Sequence, residues 1–336
     1  MRLSEGRARA SACVLALCLT ACGGGAGSAE SRTPDPPLDD GDANAVQEPS
    51  SAAVKRGIDL IQKKDFEGAK KLLSAARAKH PQDPQAAFYL GVALENLGDG
   101  AAAKEHYGKA LELDPRLSEA SVNLSALLLE GEDAAGALRV ADGGLRFASR
   151  HPELLTNRAL ALEAAGNTDE AVKAYAAALA ASPGNVELGY AYAELLAESG
   201  RKEQALDELK KLAQSDDPRV TEAVANLFGK LGAFNECIAV LDAALKKKPR
   251  AELFVRRGVC RHELDDETGA KGDFEAALEQ NAEFAPAHYY LGMHYRHKGD
   301  KKQATAHLTR AVEHGKNMAV GQAAEKALNE LKAGKK

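Results

Sequence analysis

The amino-acid sequence predicts an all-α protein, a solenoid of helical repeats, and three observations lead to this fold class. Small and apolar residues recur with a period of about 34 residues, which indicates a stack of repeated helical units. Within each copy, apolar residues at i, i+3 and i+7 give each helix one buried stripe. All 12 prolines lie in the N-terminal segment or at a repeat boundary, where they interrupt no helix.

Composition excludes several classes of protein. The net charge of -5 is unlike that of a nucleic-acid-binding protein, which is normally basic, so no nucleic-acid partner is expected. No apolar run reaches the roughly 18 residues of a transmembrane helix. Five cysteines in 336 residues are too few for a disulfide scaffold. Aromatic residues make up 5% and there is no Trp, so the core must consist mainly of Ala and Leu.

Residues 1–21 have the pattern of a secretory signal peptide: arginines, a short apolar run at 11–21, and small residues before Cys22. Residues 19–22 read Leu-Thr-Ala-Cys, which resembles the bacterial lipobox. The resemblance implies cleavage before Cys22, a diacylglycerol group on its thiol and acylation of the new amino group. Gly23 stands where the inner-membrane retention signal has Asp, which favours the outer membrane, facing the periplasm. The alternative is an ordinary signal peptide with an incidental cysteine.

Residues 22–49 are expected to form a disordered tether. They are rich in Gly, Ser, Pro, Asp and Glu and contain few apolar side chains. Such a segment cannot bury enough surface to offset its ordering entropy. A flexible chain of this length would hold the folded part roughly 30 Å from a membrane.

Residues 50–317 contain eight copies of the repeat. The second copy is the clearest, with Leu90, Gly91, Leu94, Ala103, Tyr107, Ala110 and Pro115. Five glycines are placed to end a first helix in a left-handed turn: Gly98, Gly166, Gly200, Gly232 and Gly299. Four polar residues are predicted to cap the second helix: Asp65, Asp99, Asn235 and Asp300.

This pattern resembles the tetratricopeptide repeat, a helix-turn-helix unit, over residues 50–317. The aromatic residue that the family usually has at the fourth position is missing from nearly every copy, and the third and seventh copies match least. Residues 318–336 are predicted to form a capping helix and a basic tail, because a terminal repeat needs a cover with a polar outer face.

In this family, the first helix of each repeat lines a concave groove. Carried over, the resemblance implies a partner-binding groove formed by Phe88, Tyr89, Glu95, Glu119, Asn123, Glu153, Asn157, Glu163, Tyr190 and Glu194. Asn123 and Asn157 occupy the sixth position of consecutive repeats, where Asn in family members can bind an extended peptide backbone. The glutamates suggest a basic partner segment. The alternative is solvated asparagines and glutamates that favour helix formation on a wet face.

A second patch is predicted on the last repeat. Tyr289, Met293, Arg296 and His297 combine apolar and cationic groups of the kind that dominate protein interfaces. The alternative is that Tyr290 and Met293 are buried against the capping helix.

Candidate chemistry is sparse. His294 and His297 share a helical face, but zinc needs three or four ligands, so no metal site is expected. No catalytic or phosphate-binding motif is present, and neither an enzyme nor a cofactor is predicted. Cys237 and Cys260 lie at one level of adjacent predicted helices. In an oxidising compartment they could form a disulfide, and the alternative is two small buried thiols.

These observations predict a non-enzymatic protein-interaction scaffold, lipid-anchored in the bacterial envelope. It looks like the tetratricopeptide lipoproteins that assemble or localise secretin, pilus or motility machines. One alternative is an adaptor that recruits peptidoglycan hydrolases or proteases, and another is a self-associating structural protein. The oligomeric state is left open.

Overall fold

The computed structural model describes residues 50–215 and 217–334, and all regular secondary structure in these ranges is helical. The predicted signal peptide, Cys22 and the tether lie outside the described residues. The chain divides into two compact units, and the boundary between Leu188 and Gly189 falls inside one helix.

The first unit contains eight complete helices: α1 (Ser50–Gln62), α2 (Phe66–Lys79), α3 (Pro84–Asn96), α4 (Gly100–Leu113), α5 (Ser118–Glu130), α6 (Ala134–Leu145), α7 (Pro152–Ala164) and α8 (Thr168–Ala181). Helix α9 (Val186–Glu198) contains the boundary. The second unit continues with α10 (Lys202–Leu212), α11 (Pro218–Lys230), α12 (Phe234–Lys247), α13 (Ala251–His262), α14 (Glu267–Gln280), α15 (Ala285–His297), α16 (Lys301–His314) and α17 (Ala319–Lys332). The predicted all-α fold of eight helix pairs and a C-terminal helix is confirmed.

The core depends on small residues on the second helix of each pair. Each of the following is at most 1% exposed: Ala69, Ala103, Ala137, Ala171, Ala205, Cys237, Ala270 and Ala304. One turn later, every pair except the third has a larger buried side chain, such as Leu73, Tyr107 or Phe274. A Cβ atom on Gly91 would lie 2.7 Å from the ring of Tyr107, so only glycine permits this approach.

The turns inside the pairs follow the prediction at most positions. All five predicted glycines have φ between 70° and 81°, the left-handed region that glycine adopts without strain. Asp65, Asp99 and Asp300 accept hydrogen bonds from backbone N–H groups at the start of α2, α4 and α16. The cap predicted at Asn235 is wrong: this residue lies inside α12, and the N-cap position is Ala233.

Helix α17 lies on α15 and α16. Its apolar residues Ala324, Ala327 and Leu328 are buried together with Leu308 and Ala311 of α16. The last repeat is therefore covered on the side where a further repeat would otherwise stack.

Candidate protein-binding surface

Helices α3, α5 and α7 each place a glutamate in the last turn of the helix. These are Glu95, Glu130 and Glu163, of which Glu95 and Glu163 are half-buried and Glu130 is exposed. All three helices are first helices of their pairs within the first unit. Glu119 and Glu153 are exposed at the opposite ends of α5 and α7.

Glu95 is held by a chain of hydrogen bonds that joins three helices. The Tyr107 hydroxyl on α4 donates to the Glu95 carboxylate, and Asn123 Nδ2 on α5 donates to Tyr107 Oη at 3.0 Å. Burial raises the pKa of Glu95 against the effect of this hydrogen bond, and the nearby Glu130 carboxylate raises it further. Asn123 therefore positions Glu95 through Tyr107.

The same arrangement returns two repeats later. Tyr175 Oη on α8 donates to Glu163 Oε2 on α7 at 2.5 Å, with the same separation of 12 residues along the chain. Tyr107 and Tyr175 are both fully buried, so each reaches its glutamate from the interior. A Glu followed by Tyr at this spacing, in two of the eight copies, is the sequence signal for the pair.

In the second unit, Tyr190 and Glu194 form a pair on α9 itself. Both are half-buried, and the Tyr190 side chain is hydrogen-bonded to Glu194. Burial raises the pKa of Glu194, which the Tyr190 hydrogen bond and Lys230 oppose and Glu198 reinforces.

Two predicted groove residues lie in the interior instead. Phe88 is 9% exposed and its ring lies 5.7 Å from that of Tyr107, while Tyr89 packs half-buried beside it. Asn157 is 2% exposed, and its Nδ2 donates to Ser125 Oγ at 2.8 Å and to Val122 O at 3.1 Å. Buried polar groups such as the Ser125 hydroxyl and the Asn157 amide need hydrogen-bond partners. Asn157 therefore links α7 to α5, and its buried side chain is not accessible to a peptide.

The predicted second patch is largely covered by α17. Tyr289 and Met293 pack half-buried against the apolar cluster that α16 and α17 form. Arg296 Nη1 donates to Glu330 Oε2 on α17 at 3.0 Å. Of the four predicted residues, His297 alone is exposed.

Cys237 and Cys260 are joined as a disulfide, with Cα atoms 6.6 Å apart. The bridge connects α12 to α13, and both residues are at most 5% exposed.

Within the described ranges, no three His, Cys, Asp or Glu side chains are arranged to hold a metal ion. His294 contacts Glu267 Oε2 at 2.9 Å, and His262 contacts Glu267 Oε1 at 2.7 Å. None of the described helices has the length and apolar character needed to cross a membrane.

Comparison with known proteins identifies the family. Two family models, both described as tetratricopeptide repeat, match residues 54–116, 162–227 and 263–319, which together are more than half of the chain. The chain therefore belongs to the tetratricopeptide-repeat proteins, whose repeats typically serve as non-catalytic scaffolds that bind protein partners.

Individual relatives match parts of the chain. Human tetratricopeptide repeat protein 13 is 30% identical over 168 residues, which are 47% of this chain and 20% of that protein. Cellulose synthase operon protein C of Pseudomonas fluorescens is 29% identical over 127 residues, or 38% of this chain and 10% of that protein. The chain thus spans a fifth or less of either relative. The solved structure of Pseudomonas aeruginosa pilF has a TM-score of 0.49 at 18% identity and covers 60% of this chain and 92% of its own.

Proposed function

We propose that this protein is a non-enzymatic scaffold held at a bacterial envelope membrane by a lipid on Cys22, and that it binds a basic segment of a partner protein. The observation that carries the binding proposal is the row of carboxylates in the last turns of α3, α5 and α7. The proposed membrane location rests on the resemblance of residues 19–22 to the lipobox.

Glu95 and Glu130 lie at helix C-termini, where a carboxylate is electrostatically unfavourable. The C-terminus of a helix carries about half a negative charge, and an acidic side chain there costs about 0.3–1 kcal/mol. Burial raises the pKa of Glu95, and repulsion from the nearby Glu130 carboxylate raises it further. A Lys or Arg side chain between the two would relieve both terms, and partial burial strengthens the attraction.

The site is also ordered before a ligand arrives. The hydrogen bonds from Asn123 through Tyr107 fix the carboxylate of Glu95 on the first helix of its repeat. A side chain that is already immobilised loses little entropy on binding, so more of the electrostatic attraction remains as affinity.

The binding test uses labelled peptides rich in Lys and Arg beside peptides in which Gln replaces each basic residue. We expect a double variant, Glu95→Gln with Glu130→Gln, to bind the basic peptide about tenfold more weakly, equivalent to about 1.4 kcal/mol. Gln at position 95 still accepts the Tyr107 hydrogen bond, so the fold is retained.

Glu105→Gln with Glu170→Gln is the matched control, because it makes the same change of charge at exposed positions on two second helices, α4 and α8. Equal affinities of the double variant and this control would refute the basic-segment proposal. Affinity that does not fall with added salt would also count against it.

The proposed role is assembly or localisation of an envelope machine. Affinity purification from detergent-solubilised envelopes, with mass spectrometry, tests this role. Secretin, pilus or motility subunits that are lost from the double variant support it. Cell-wall hydrolases or proteases in their place indicate the adaptor, and a complex that contains only this chain indicates a self-associating structural protein.

A further inference from the structure

Two histidines form a contact between the two helices of the last repeat, α15 and α16. His288 on α15 is 1% exposed, and its Nε2 lies 3.0 Å from the carbonyl oxygen of Ala282. Its Nδ1 lies 3.0 Å from Nδ1 of His307 on α16. Both distances are those of hydrogen bonds.

The carbonyl fixes the proton positions in this pair. Because a carbonyl oxygen only accepts, Nε2 of His288 carries the hydrogen, and Nδ1 of the neutral ring is an acceptor. His307 therefore donates its Nδ1–H to His288, and α15 is joined to α16 by one N–H···N hydrogen bond. His307 can take a proton at Nε2 without losing this bond. A second proton, on Nδ1 of His288, places two N–H donors against each other.

We propose that His288 and His307 form an acid-sensitive latch, which releases α16 and α17 from α15 in acidic surroundings and uncovers Tyr289 and Met293. This device is independent of the proposed basic-segment binding, which uses the first unit.

The groups around His288 oppose its protonation. Burial lowers the pKa of His288 against the hydrogen bond to Ala282 O, and Arg310 and His314 on α16 lower it further. The ring of His314 stacks at 6.3 Å from that of His288. Glu283, in the connection before α15, lies 3.8 Å from His314.

The surroundings of His307 act in the same direction. Burial lowers its pKa, and His288 and Arg310 add to this effect, while Glu275 on α14 opposes it. Tyr295 stacks on His307 at 5.6 Å, and Lys271 of α14 lies 5.9 Å from the Tyr295 ring.

The sign of the pH effect follows. Both histidines have a lower pKa in the folded chain than the unfolded value of about 6.5, so the unfolded or opened state binds more protons. The closed repeat is fully stabilised above pH 6.5 and loses stability as the pH falls below it.

The neighbouring contact between α15 and α14 does not involve the histidine pair. Glu267 on α14 contacts His294 of α15 and His262 of α13. Because these contacts hold α15 to α14 without His288 or His307, the proposed opening is confined to α16 and α17.

Hydrogen exchange followed by mass spectrometry tests the latch in the full chain at pH 7.5 and 5.5, after correction for the intrinsic exchange rate. We expect protection of residues 301–332 to fall about tenfold relative to residues 118–145, since pH 5.5 lies about one pH unit below the ordinary histidine pKa. Equal protection of residues 301–332 at both pH values would overturn the latch.

His288→Asn removes the ring whose second proton breaks the contact, so it should remove most of the loss at pH 5.5. His297→Asn, the same change at an exposed position of α15, should leave the loss unchanged. The wild-type chain gives a second readout that does not depend on the folding of a variant. In imidazole ¹⁵N spectra, His288 and His307 should titrate below pH 6.5, and midpoints at or above this value would overturn the proposal.

Discussion

In the seventh repeat, charged side chains occupy part of the stripe that is apolar in other repeats. Asp273 on α14 is 2% exposed and accepts hydrogen bonds from Arg257 Nε at 3.0 Å and Arg261 Nη1 at 2.9 Å, both on α13. Asp242 on α12 accepts a further hydrogen bond from Arg257. Arg261 stands where most copies have an apolar residue, which accounts for the poor match of this copy. The two arginines supply the countercharge that the buried carboxylate of Asp273 requires.

Asp273→Asn is expected to destabilise the second unit by about 3 kcal/mol, because two partly buried guanidinium groups lose their shared countercharge. Asp242→Asn is the matched control: its side chain is 41% exposed, and its ion pair is worth about 1 kcal/mol or less. Urea unfolding, monitored by circular dichroism, measures both. Similar losses of unfolding free energy in the two variants would contradict a central role for Asp273.

For single residues of the candidate site, the repeat pattern predicts some side-chain positions and not others. The repeat register indicates which side of a helix the predicted glutamates occupy, and in the structure they are exposed or half-buried. The register does not indicate that Asn157 is buried, because this burial involves contacts with Ser125 and Val122 of another repeat. Contacts of this kind depend on packing between repeats, and the pattern within one repeat does not predict them.

The attachment of α17 depends on a close approach of two glycines. A Cβ atom on Gly321 would lie 2.1 Å from the carbonyl oxygen of Gly315, in the turn that follows α16. Backbone cannot move aside as a flexible side chain can, so the start of α17 tolerates no side chain at this position.

Gly321→Ala is expected to destabilise the C-terminal helix by about 1–3 kcal/mol through overpacking. Gly272→Ala on α14 should have the opposite sign, stabilising by about 0.5–1 kcal/mol, because no atom lies within 4 Å and alanine favours the helix. Thermal unfolding of the two variants compares them directly. A melting temperature of Gly321→Ala at or above that of the wild type would show that α17 is not held by this contact.

The order of helices could be predicted because period, glycines and prolines all indicate the same boundaries. Three turns carried no glycine signal: Lys64, Glu132 and Asp265 have φ of 62°, 59° and 60°, respectively. They occupy the equivalent place in their repeats. The surrounding helix pair imposes the conformation there, against a cost of about 1–2 kcal/mol for a residue with a Cβ atom.

At the scale of the whole molecule, the proposed membrane attachment depends on one residue, Cys22, which lies outside the described residues. Cys22→Ala should incorporate no labelled fatty acid when expressed in bacteria, because the thiol that receives the lipid is missing. Cys18→Ala, four residues earlier and inside the predicted signal peptide, serves as the control and should incorporate label as the wild type does. Label that persists in Cys22→Ala would exclude lipidation at this residue.

The disulfide between α12 and α13 has a mechanical consequence for a chain pulled from its ends. Each residue released from a helix lengthens such a chain by up to about 3.5 Å. The two cysteines are 23 residues apart, so the bridge withholds about 80 Å of extension for as long as it is oxidised. The reach of the second unit under load is therefore set by the redox state of its surroundings as well as by the strength of its packing.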